Sequence, residues 1–162
     1  MKFRDSQLAH KYLDGLDTVI EIGASSHNPF NIKCNTYYNV DLPKHQRVVY
    51  EDESRKLGEE PCEVHIEARG DNLPLADNSV DAVLSSHVIE HFWNPLTALR
   101  EWYRVCKPGG YIFIICPHKD RTFDKDREVT TIQELIDKSS KPDVVDNGDN
   151  HHTVWKTEEF VY

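Results

Sequence analysis

The strongest constraint on the fold of this chain is a pair of short, mostly apolar segments, the first of which runs into a glycine and the second into an aspartate. The first, Val19–Ile22, runs into Gly23, and the second, Thr36–Val40, ends at Asp41. A strand that stops at a glycine turn, followed by a strand that stops at a carboxylate, is typical of a nucleoside-binding βαβ unit. The glycine lets the backbone approach a ligand closely, and the acid can accept hydrogen bonds from both ribose hydroxyls. The pattern predicts a parallel α/β sheet with a nucleoside site at the ends of its first two strands.

Other segments complete the predicted sheet and its helices. The segment 43–61 is polar and charged, so it is predicted to be a loop with at most a helical turn. Asn94 and Pro95 form a good helix start, an N-cap residue followed by proline at the first helical position. The buried face of that helix is predicted to carry Leu96, Leu99, Tyr103 and Cys106. The further predicted elements are strands at 62–66, 80–86 and 111–116, a turn or short helix at 87–92, and helices at 5–14 and 131–138.

Composition excludes some classes of partner. The chain has 162 residues and a formal charge of −9, which argues against nucleic-acid backbone or an anionic membrane as a main partner. The longest apolar run, at 111–116, is too short to span a bilayer, and the N-terminus has no apolar signal core. The four cysteines are scattered, which is typical of reduced thiols, so we expect a cytoplasmic protein.

The order of motifs resembles a known family. It runs from Glu21-Ile-Gly23 and Asp41 through a block at 73–91 that contains Leu-Pro-Leu and His-Val-Ile-Glu-His, and ends on the Lys-Pro-Gly-Gly turn at 107–110. Over about residues 15–120 this series resembles the class I S-adenosylmethionine-dependent methyltransferases, in particular the type-11, ubiquinone/menaquinone methyltransferase-like group.

The resemblance implies a fold as well as an activity. It implies a Rossmann-like, mostly parallel sheet with helices on both faces and about five strands in the order 3-2-1-4-5. The final β-hairpin of the family is not evident, so the chain looks shortened at its C-terminus. We expect a single domain over 1–162, with a core at about 15–120 and a polar C-terminal extension at 121–162.

The resemblance also implies S-adenosyl-L-methionine as cofactor and a set of residues that bind it. The turn after the first strand, with Glu21, would meet the methionine end, Asp41 would bind the ribose hydroxyls, and Leu42 would lie against the adenine. Ser25 and His27 stand where the family commonly has glycines. The implied cofactor-binding residues are Glu21, Gly23, Ala24, Ser25, Asp41, Leu42, Asp71, Asn72, Ser86 and His87.

Three residues after the fourth strand are candidates for catalysis. An oxygen or nitrogen acceptor has to lose a proton, and His87, Glu90 or His91 could serve as general base. The alternative is that Glu90 and His91 only brace the following turn.

A second cluster lies in the C-terminal extension, where His151 and His152 precede Trp155. It could line an acceptor pocket, pack on the surface, or join His118 at a metal. Adjacent histidines in an extended segment point to opposite sides, and no spacing completes a tetrahedral set, so we expect no metal. The pattern Thr122-Phe-Asp124 with Arg127 looks like methyltransferases associated with glycan modification.

The favoured hypothesis is therefore methyl transfer from S-adenosylmethionine to a small-molecule or glycan-type acceptor. The alternative is a non-catalytic module that binds the cofactor or dimerises. A nicotinamide-dependent oxidoreductase is disfavoured by the missing glycines. Without a final hairpin, the apolar strand at 111–116 would lie at the sheet edge, where we expect the 151–155 segment or a second copy of the chain to cover it.

Overall fold

Five parallel strands form one sheet in the order β3-β2-β1-β4-β5, which confirms the predicted fold class and strand order. The computed structural model describes residues 7–24, 30–56, 58, 60–141 and 150–156. The strands are β1 (Thr18–Ile22), β2 (Thr36–Asp41), β3 (Ile66–Glu67), β4 (Val80–Ser86) and β5 (Cys106–Ile115). The helices are α1 (Gln7–Leu13), α2 (Lys44–Lys56), α3 (Pro95–Val105) and α4 (Ile132–Ser139). Short 3₁₀ turns lie at Ile89–His91, Lys119–Arg121 and Phe123–Asp126.

The sheet has a core on each face. Ile20, Val40 and Val83 point to the face covered by α3, whereas Val19 and Leu84 point to the face covered by α1. Continuous apolar character along β1 and β4 is what a strand buried on both faces requires. None of the helices in the described ranges combines the length and apolar character that a membrane-spanning segment needs.

The segment predicted as a loop at 43–61 instead forms α2. Ion pairs help to hold this helix: Arg47 Nε donates to Glu51 Oε1 at 2.6 Å, and Arg47 Nη1 donates to Glu67 Oε1 at 3.0 Å. Arg47 and Glu51 are both buried. Hydrophobic periodicity could not indicate a helix whose buried contacts are charged.

The third strand is shorter and later than predicted, at Ile66–Glu67 rather than 62–66. Side-chain hydrogen bonds from this region replace part of the expected backbone ladder. The Asn39 backbone N–H donates to the His65 ring at 3.0 Å, and the Asn39 amide donates to the Glu63 carbonyl at 2.8 Å.

The helix α3 starts as predicted, but its buried face is different. The Asn94 side chain accepts from the Leu96 N–H at 3.2 Å, which confirms the N-cap. Ala98, Trp102 and Val105 are buried, whereas Tyr103 is 78% exposed. The prediction for Tyr103 was wrong because Trp102, whose indole N–H donates to the Gly70 carbonyl at 2.8 Å, occupies the centre of the face.

The strand β5 lies at the edge of the sheet and begins earlier than predicted. Val80 pairs with Cys106 and Ala82 with Tyr111, so Lys107–Gly110 form an irregularity inside the strand rather than a turn before it. Residues 112–115 are half-buried. The 151–155 segment does not pair with this strand; its Trp155 pairs with His118, beyond the strand's end.

We expect Gly23→Ala to destabilise the protein more than Gly15→Ala. Both glycines have positive φ, +76° and +84°, which costs an alanine roughly 1 kcal/mol. A Cβ at Gly23 would lie 2.3 Å from Val88 Cγ2, whereas nothing lies within 4 Å of a Cβ at Gly15. Overpacking adds about 1–3 kcal/mol at Gly23 only. Urea denaturation measures both changes, and equal losses of stability would contradict this interpretation of the Gly23–Val88 contact.

Candidate active site

The turn after β1 brings the ends of two neighbouring strands together. The Gly23 N–H donates to the Val40 carbonyl at 2.8 Å, and Ala24 is fully buried. Val88, from the loop after β4, packs where a side chain at Gly23 would be. The turn is therefore in contact with the ends of both β2 and β4, as the switch in strand order requires. Ser25 and His27 lie outside the described residues.

Glu21 is a buried carboxyl in β1, two residues before this glycine. It is 2% exposed, and the Tyr37 hydroxyl donates to its Oε2. Burial raises the pKa of Glu21 to about 7, with the nearby Asp41 charge adding to the shift and the Tyr37 hydrogen bond opposing it. Near neutral pH this carboxyl exchanges between its charged and neutral forms, which is an unusual property for the end of a core strand.

Asp41 ends β2 and is 7% exposed. Its Oδ1 accepts from the Leu42 N–H at 2.7 Å, and its carbonyl accepts from the Ala68 N–H at 2.8 Å. The carboxylate and Gly23 end neighbouring strands at the same edge of the sheet. A carboxylate in this position can accept hydrogen bonds from a vicinal diol, which is the chemistry expected of it.

Asp71 and Asn72 lie in a turn after β3 that approaches the same edge. Asp71 forms a two-point ion pair with the Arg69 guanidinium, at 2.9 and 2.7 Å, so Arg69 contacts both of its oxygens. Asn72 is exposed, and its N–H donates to the Arg69 carbonyl at 3.0 Å. Of these two side chains, Asn72 is the more accessible to a ligand.

His87 follows directly after β4 in a backbone conformation that few residues other than glycine adopt. Its φ is +55°, and its N–H donates to the Ile115 carbonyl at 2.8 Å. Ser86, the last residue of β4, pairs with Ile115. The His87 side chain is 37% exposed, and its Nδ1 lies 3.8 Å from Glu90 Oε1. His87 therefore lies between a buried carboxyl and the protein surface.

Glu90 is the centre of a cluster of titratable groups. Its side chain is fully buried, and neither carboxylate oxygen has a hydrogen-bond partner among the described residues. The Nε2 atoms of His91 and His151 lie 3.8 and 4.0 Å from Glu90 Oε1. Burial, with a smaller contribution from Asp124, raises the pKa of Glu90 to about 8.

Asp124, in the C-terminal extension, was not predicted as a site residue. It is 2% exposed, and it bonds His151 Nδ1 at 2.5 Å and Arg127 Nη1 at 2.6 Å. Although burial alone would raise the pKa of Asp124, these hydrogen bonds hold it below its usual value. The only sequence signal was the Thr122-Phe-Asp124 pattern with Arg127, and the Thr122 hydroxyl does bond Asp124 Oδ2 at 3.2 Å.

The 150–156 segment is fixed against the 3₁₀ turn that carries Glu90. The backbone N–H groups of His152 and Thr153 donate to the Glu90 carbonyl, at 2.7 and 3.2 Å. The His152 ring packs edge-on to Trp93, with ring centroids 5.4 Å apart, whereas His151 faces Asp124 and Glu90. The two histidines therefore point in different directions, as their adjacency predicts.

The buried Glu21 carboxyl predicts a pH-dependent stability. An unfolded glutamic acid loses its proton near pH 4.5, whereas Glu21 in the folded protein keeps it to about pH 7. The stabilisation is fully present below pH 4.5 and is lost as the pH rises to 7, by roughly 3 kcal/mol. We expect Glu21→Gln to remove this part of the pH dependence and exposed Glu63→Gln to leave it. Urea denaturation at pH 4.5 and pH 8 measures this difference in the free energy of unfolding. Parallel pH profiles for Glu21→Gln and the parent would contradict the assignment of the pH dependence to Glu21.

Comparisons with known proteins agree with this arrangement of strand ends. Residues 21–114, more than half of the chain, match the methyltransferase domain family Methyltransf_11. A demethylmenaquinone methyltransferase from Protochlamydia amoebophila (strain UWE25) is 27% identical over 115 residues, which is 70% of this chain and 47% of that protein. A malonyl-[acyl-carrier protein] O-methyltransferase from Marinomonas sp. (strain MWYL1) is 32% identical over 112 residues, 65% of this chain and 40% of that protein.

A solved structure extends the likeness in fold to most of the chain. A Bacillus halodurans C-125 protein assigned to the methyltransferases superposes with a TM-score of 0.59 at 21% identity, over 95% of this chain and 62% of that one. The chain spans less than half the length of the two curated relatives. With its Gly23 turn, its Asp41 strand end and its strand order, the chain belongs to the type-11 group of S-adenosylmethionine-dependent methyltransferases.

Proposed function

We propose that this chain binds S-adenosylmethionine at the carboxyl ends of β1, β2 and β4 and transfers its methyl group to a small-molecule or glycan-type acceptor. The observation that carries the proposal is the hydrogen-bonded junction of the Gly23 turn with the end of β2, beside the buried Asp41 carboxylate. Ligands of open α/β sheets bind at such a junction, where the strand order reverses.

The residues present fit the cofactor. Asp41 has the chemistry for two ribose hydroxyls, Leu42 is half-buried next to it, and Asn72 is an exposed amide at the same edge. Gly23, Ala24 and Glu21 would meet the amino-acid end, with Ser86 and His87 facing the reactive centre. S-adenosylmethionine, when bound, supplies a methyl group on a sulfonium, a good leaving group, so positioning supplies much of the catalysis.

The acceptor would lie beside His87. This side chain is partly exposed and 3.8 Å from the buried Glu90 carboxyl, so it can take a proton from an acceptor that approaches from solvent. Glu90 itself is fully buried and its pKa is about 8, so it is mostly protonated at neutral pH and is a poor first base. We assign His87 as the general base. Glu90, on the buried side of His87, and His91 beside Glu90 would support it.

Relatives named for demethylmenaquinone and for malonyl-[acyl-carrier protein] support methyl transfer without naming one acceptor. A glycan-type acceptor is supported by the Thr122–Asp124–Arg127 pattern, which the structure assembles beside His151.

A second candidate function, a non-catalytic binding module, is favoured by one observation. Val88 fills the space beside Gly23, so packing within the chain already explains the glycine without a ligand. Cofactor binding without turnover on any acceptor would support this alternative.

The ribose site is tested by Asp41→Asn. The amide oxygen keeps the hydrogen bond from the Leu42 N–H but loses the charge that strengthens bonds to two hydroxyls. We expect the Kd for S-adenosylhomocysteine to rise about 10–100-fold, since a charge-assisted hydrogen bond contributes about 1.5–3 kcal/mol. Isothermal calorimetry measures the change.

The matched control for that experiment is Asp77→Asn. Asp77 is an exposed aspartate that pairs with Arg104 at 2.7 Å in the loop before β4, near the amino end of that strand. The affinity of Asp77→Asn for S-adenosylhomocysteine should equal that of the parent. Equal binding by Asp41→Asn and the parent would place the ribose elsewhere, and tighter binding of NAD than of S-adenosylhomocysteine would contradict the proposed cofactor.

We also infer that the edge strand β5 pairs with a second copy of the chain. It hydrogen-bonds β4 on one side and carries the apolar run Ile112–Ile115. No strand among the described residues pairs with its other side, and such an edge invites pairing. Tyr111 is 41% exposed at this edge.

We further propose a cytoplasmic location, because the cysteines form no disulfide bonds and a reducing compartment suits them.

The dimer is tested by light scattering after size-exclusion chromatography. The parent should have twice the monomer mass, and Tyr111→Lys should shift it towards the monomer because charged edge residues oppose pairing. A monomeric parent whose β5 amides exchange rapidly would contradict a dimer through this edge.

A further inference from the structure

The cluster around Glu90 has the geometry of a metal centre that the sequence did not indicate. Glu90, His91 and His151 each offer one ligand atom, and these atoms lie within 4.8 Å of one another. The spacing of histidines within 151–155 and near His118 does not predict this cluster, because Glu90 and His91 approach His151 only in the folded chain.

The two histidines are oriented for coordination. His91 Nδ1 lies 3.1 Å from the Asn150 carbonyl, and His151 Nδ1 lies 2.5 Å from Asp124 Oδ2. A carbonyl oxygen can only accept, so His91 Nδ1 is the donor, and the Asp124 carboxylate likewise favours a proton on His151 Nδ1. Both Nε2 atoms then present lone pairs towards Glu90. An Nδ1–H held by a carbonyl or carboxylate is the usual support of a metal-binding histidine.

The buried carboxylate supplies the second, independent observation. Glu90 is fully buried, and neither of its oxygens has a hydrogen-bond partner among the described residues. Burying a carboxyl without a hydrogen-bond partner costs desolvation free energy that packing contacts do not offset. A cation in contact with this carboxylate and both imidazoles would satisfy all three groups.

The distances are close to those that coordination needs. Glu90 Oε1 lies 3.8 and 4.0 Å from the two Nε2 atoms. The three ligand atoms span up to 4.8 Å, and bonds of about 2.1 Å require ligand atoms roughly 3–4 Å apart, so inward side-chain movements of up to about 1 Å are needed.

We infer that Glu90, His91 and His151 bind one divalent transition-metal ion, with Asp124 positioning His151. Two imidazoles and one carboxylate favour Zn²⁺, or another transition metal such as Mn²⁺, over Mg²⁺. Three protein ligands leave a coordination position open for an oxygen atom. Glu90 is two residues from Val88, which touches the Gly23 turn, so this position adjoins the candidate cofactor site.

The open position gives the metal a role that rests on the proposed function. A hydroxyl oxygen of the acceptor that binds there would have a lowered pKa and would release its proton to water or to His87. The metal site itself does not depend on that role, and it is tested without turnover.

The experiment is calorimetric titration of the full chain, freed of metal by EDTA and dialysed, with ZnCl₂, MnCl₂ and MgCl₂. We expect one Zn²⁺ per chain, weaker Mn²⁺, little or no Mg²⁺ binding, and a melting temperature that rises with Zn²⁺. Glu90→Gln and His151→Asn should each weaken Zn²⁺ binding at least 100-fold, and Asp124→Asn about 10–100-fold.

The control is His152→Asn, the neighbouring histidine that packs on Trp93 instead, which should bind Zn²⁺ within about threefold of the parent. Because the Glu90 oxygens have no hydrogen-bond partner, metal-free Glu90→Gln should melt no lower than the parent, so loss of binding would not reflect unfolding.

Titration of the same variants with S-adenosylhomocysteine separates the two proposals. Zn²⁺ binding by a chain that binds no S-adenosylhomocysteine would support the metal site and contradict the proposed function. Absence of Zn²⁺ binding by a chain that binds S-adenosylhomocysteine would overturn the metal site alone. Equal Zn²⁺ affinity in the parent, Glu90→Gln and His151→Asn would also overturn it.

Discussion

The parallel pairing of β1 with both β2 and β4 is the constraint on which the candidate site depends. Parallel strands end at the same edge of a sheet, so this pairing places Gly23, Asp41 and Ser86 together although they are far apart in the chain. The order of strands reverses at β1, and open α/β sheets generally bind their ligands at such a reversal. Every candidate cofactor-binding residue that the structure describes lies at or beside this edge.

Two buried carboxyl groups in the candidate active site reduce the free energy of unfolding. Glu21 and Glu90 are both nearly inaccessible to solvent, and burial raises the pKa of each. Glu21 accepts a hydrogen bond from the neutral Tyr37 hydroxyl, and the histidine rings nearest to Glu90 lie 3.8–4.0 Å away, too far for a hydrogen bond that would offset the cost of burying a charge. By contrast, Asp124 and Asp81 have basic partners and keep pKa values below the usual range. Buried acids with raised pKa values are typical of functional sites rather than of structural ion-pair networks.

The C-terminal extension contributes to the site as well as to the fold. Hydrogen bonds to the Glu90 carbonyl hold the 150–156 segment against the end of β4, and α4 supplies Lys138, which donates to the His152 carbonyl at 2.6 Å and lies over the Trp93 ring. The sequence predicts a helix at 131–138 within this polar region but gives no signal that the region packs against the end of β4. Its packing depends on backbone and side-chain hydrogen bonds to residues about 60 positions earlier.

The sequence by itself determined the sheet. The apolar runs that end at Gly23, Asp41 and Ser86, and the Asn94-Pro95 helix start, are local signals, because strand burial and helix capping act over a few residues. These signals placed β1, β2, β4 and the start of α3 correctly. They also indicated Gly23 and Asp41 as ligand-facing strand ends, whereas the resemblance to the methyltransferases implied the other candidate cofactor residues.

Only the tertiary structure decided the rest. The helix α2 depends on the ion pair of Arg47 with Glu67, a strand residue 20 positions away, and the buried face of α3 depends on the bond from Trp102 to Gly70. The grouping of Glu90, His91 and His151, with Asp124 behind it, joins residues up to 61 positions apart through hydrogen bonds. Such contacts leave no periodic pattern in the sequence, because their partners are chosen by the packing of the sheet and not by neighbouring residues.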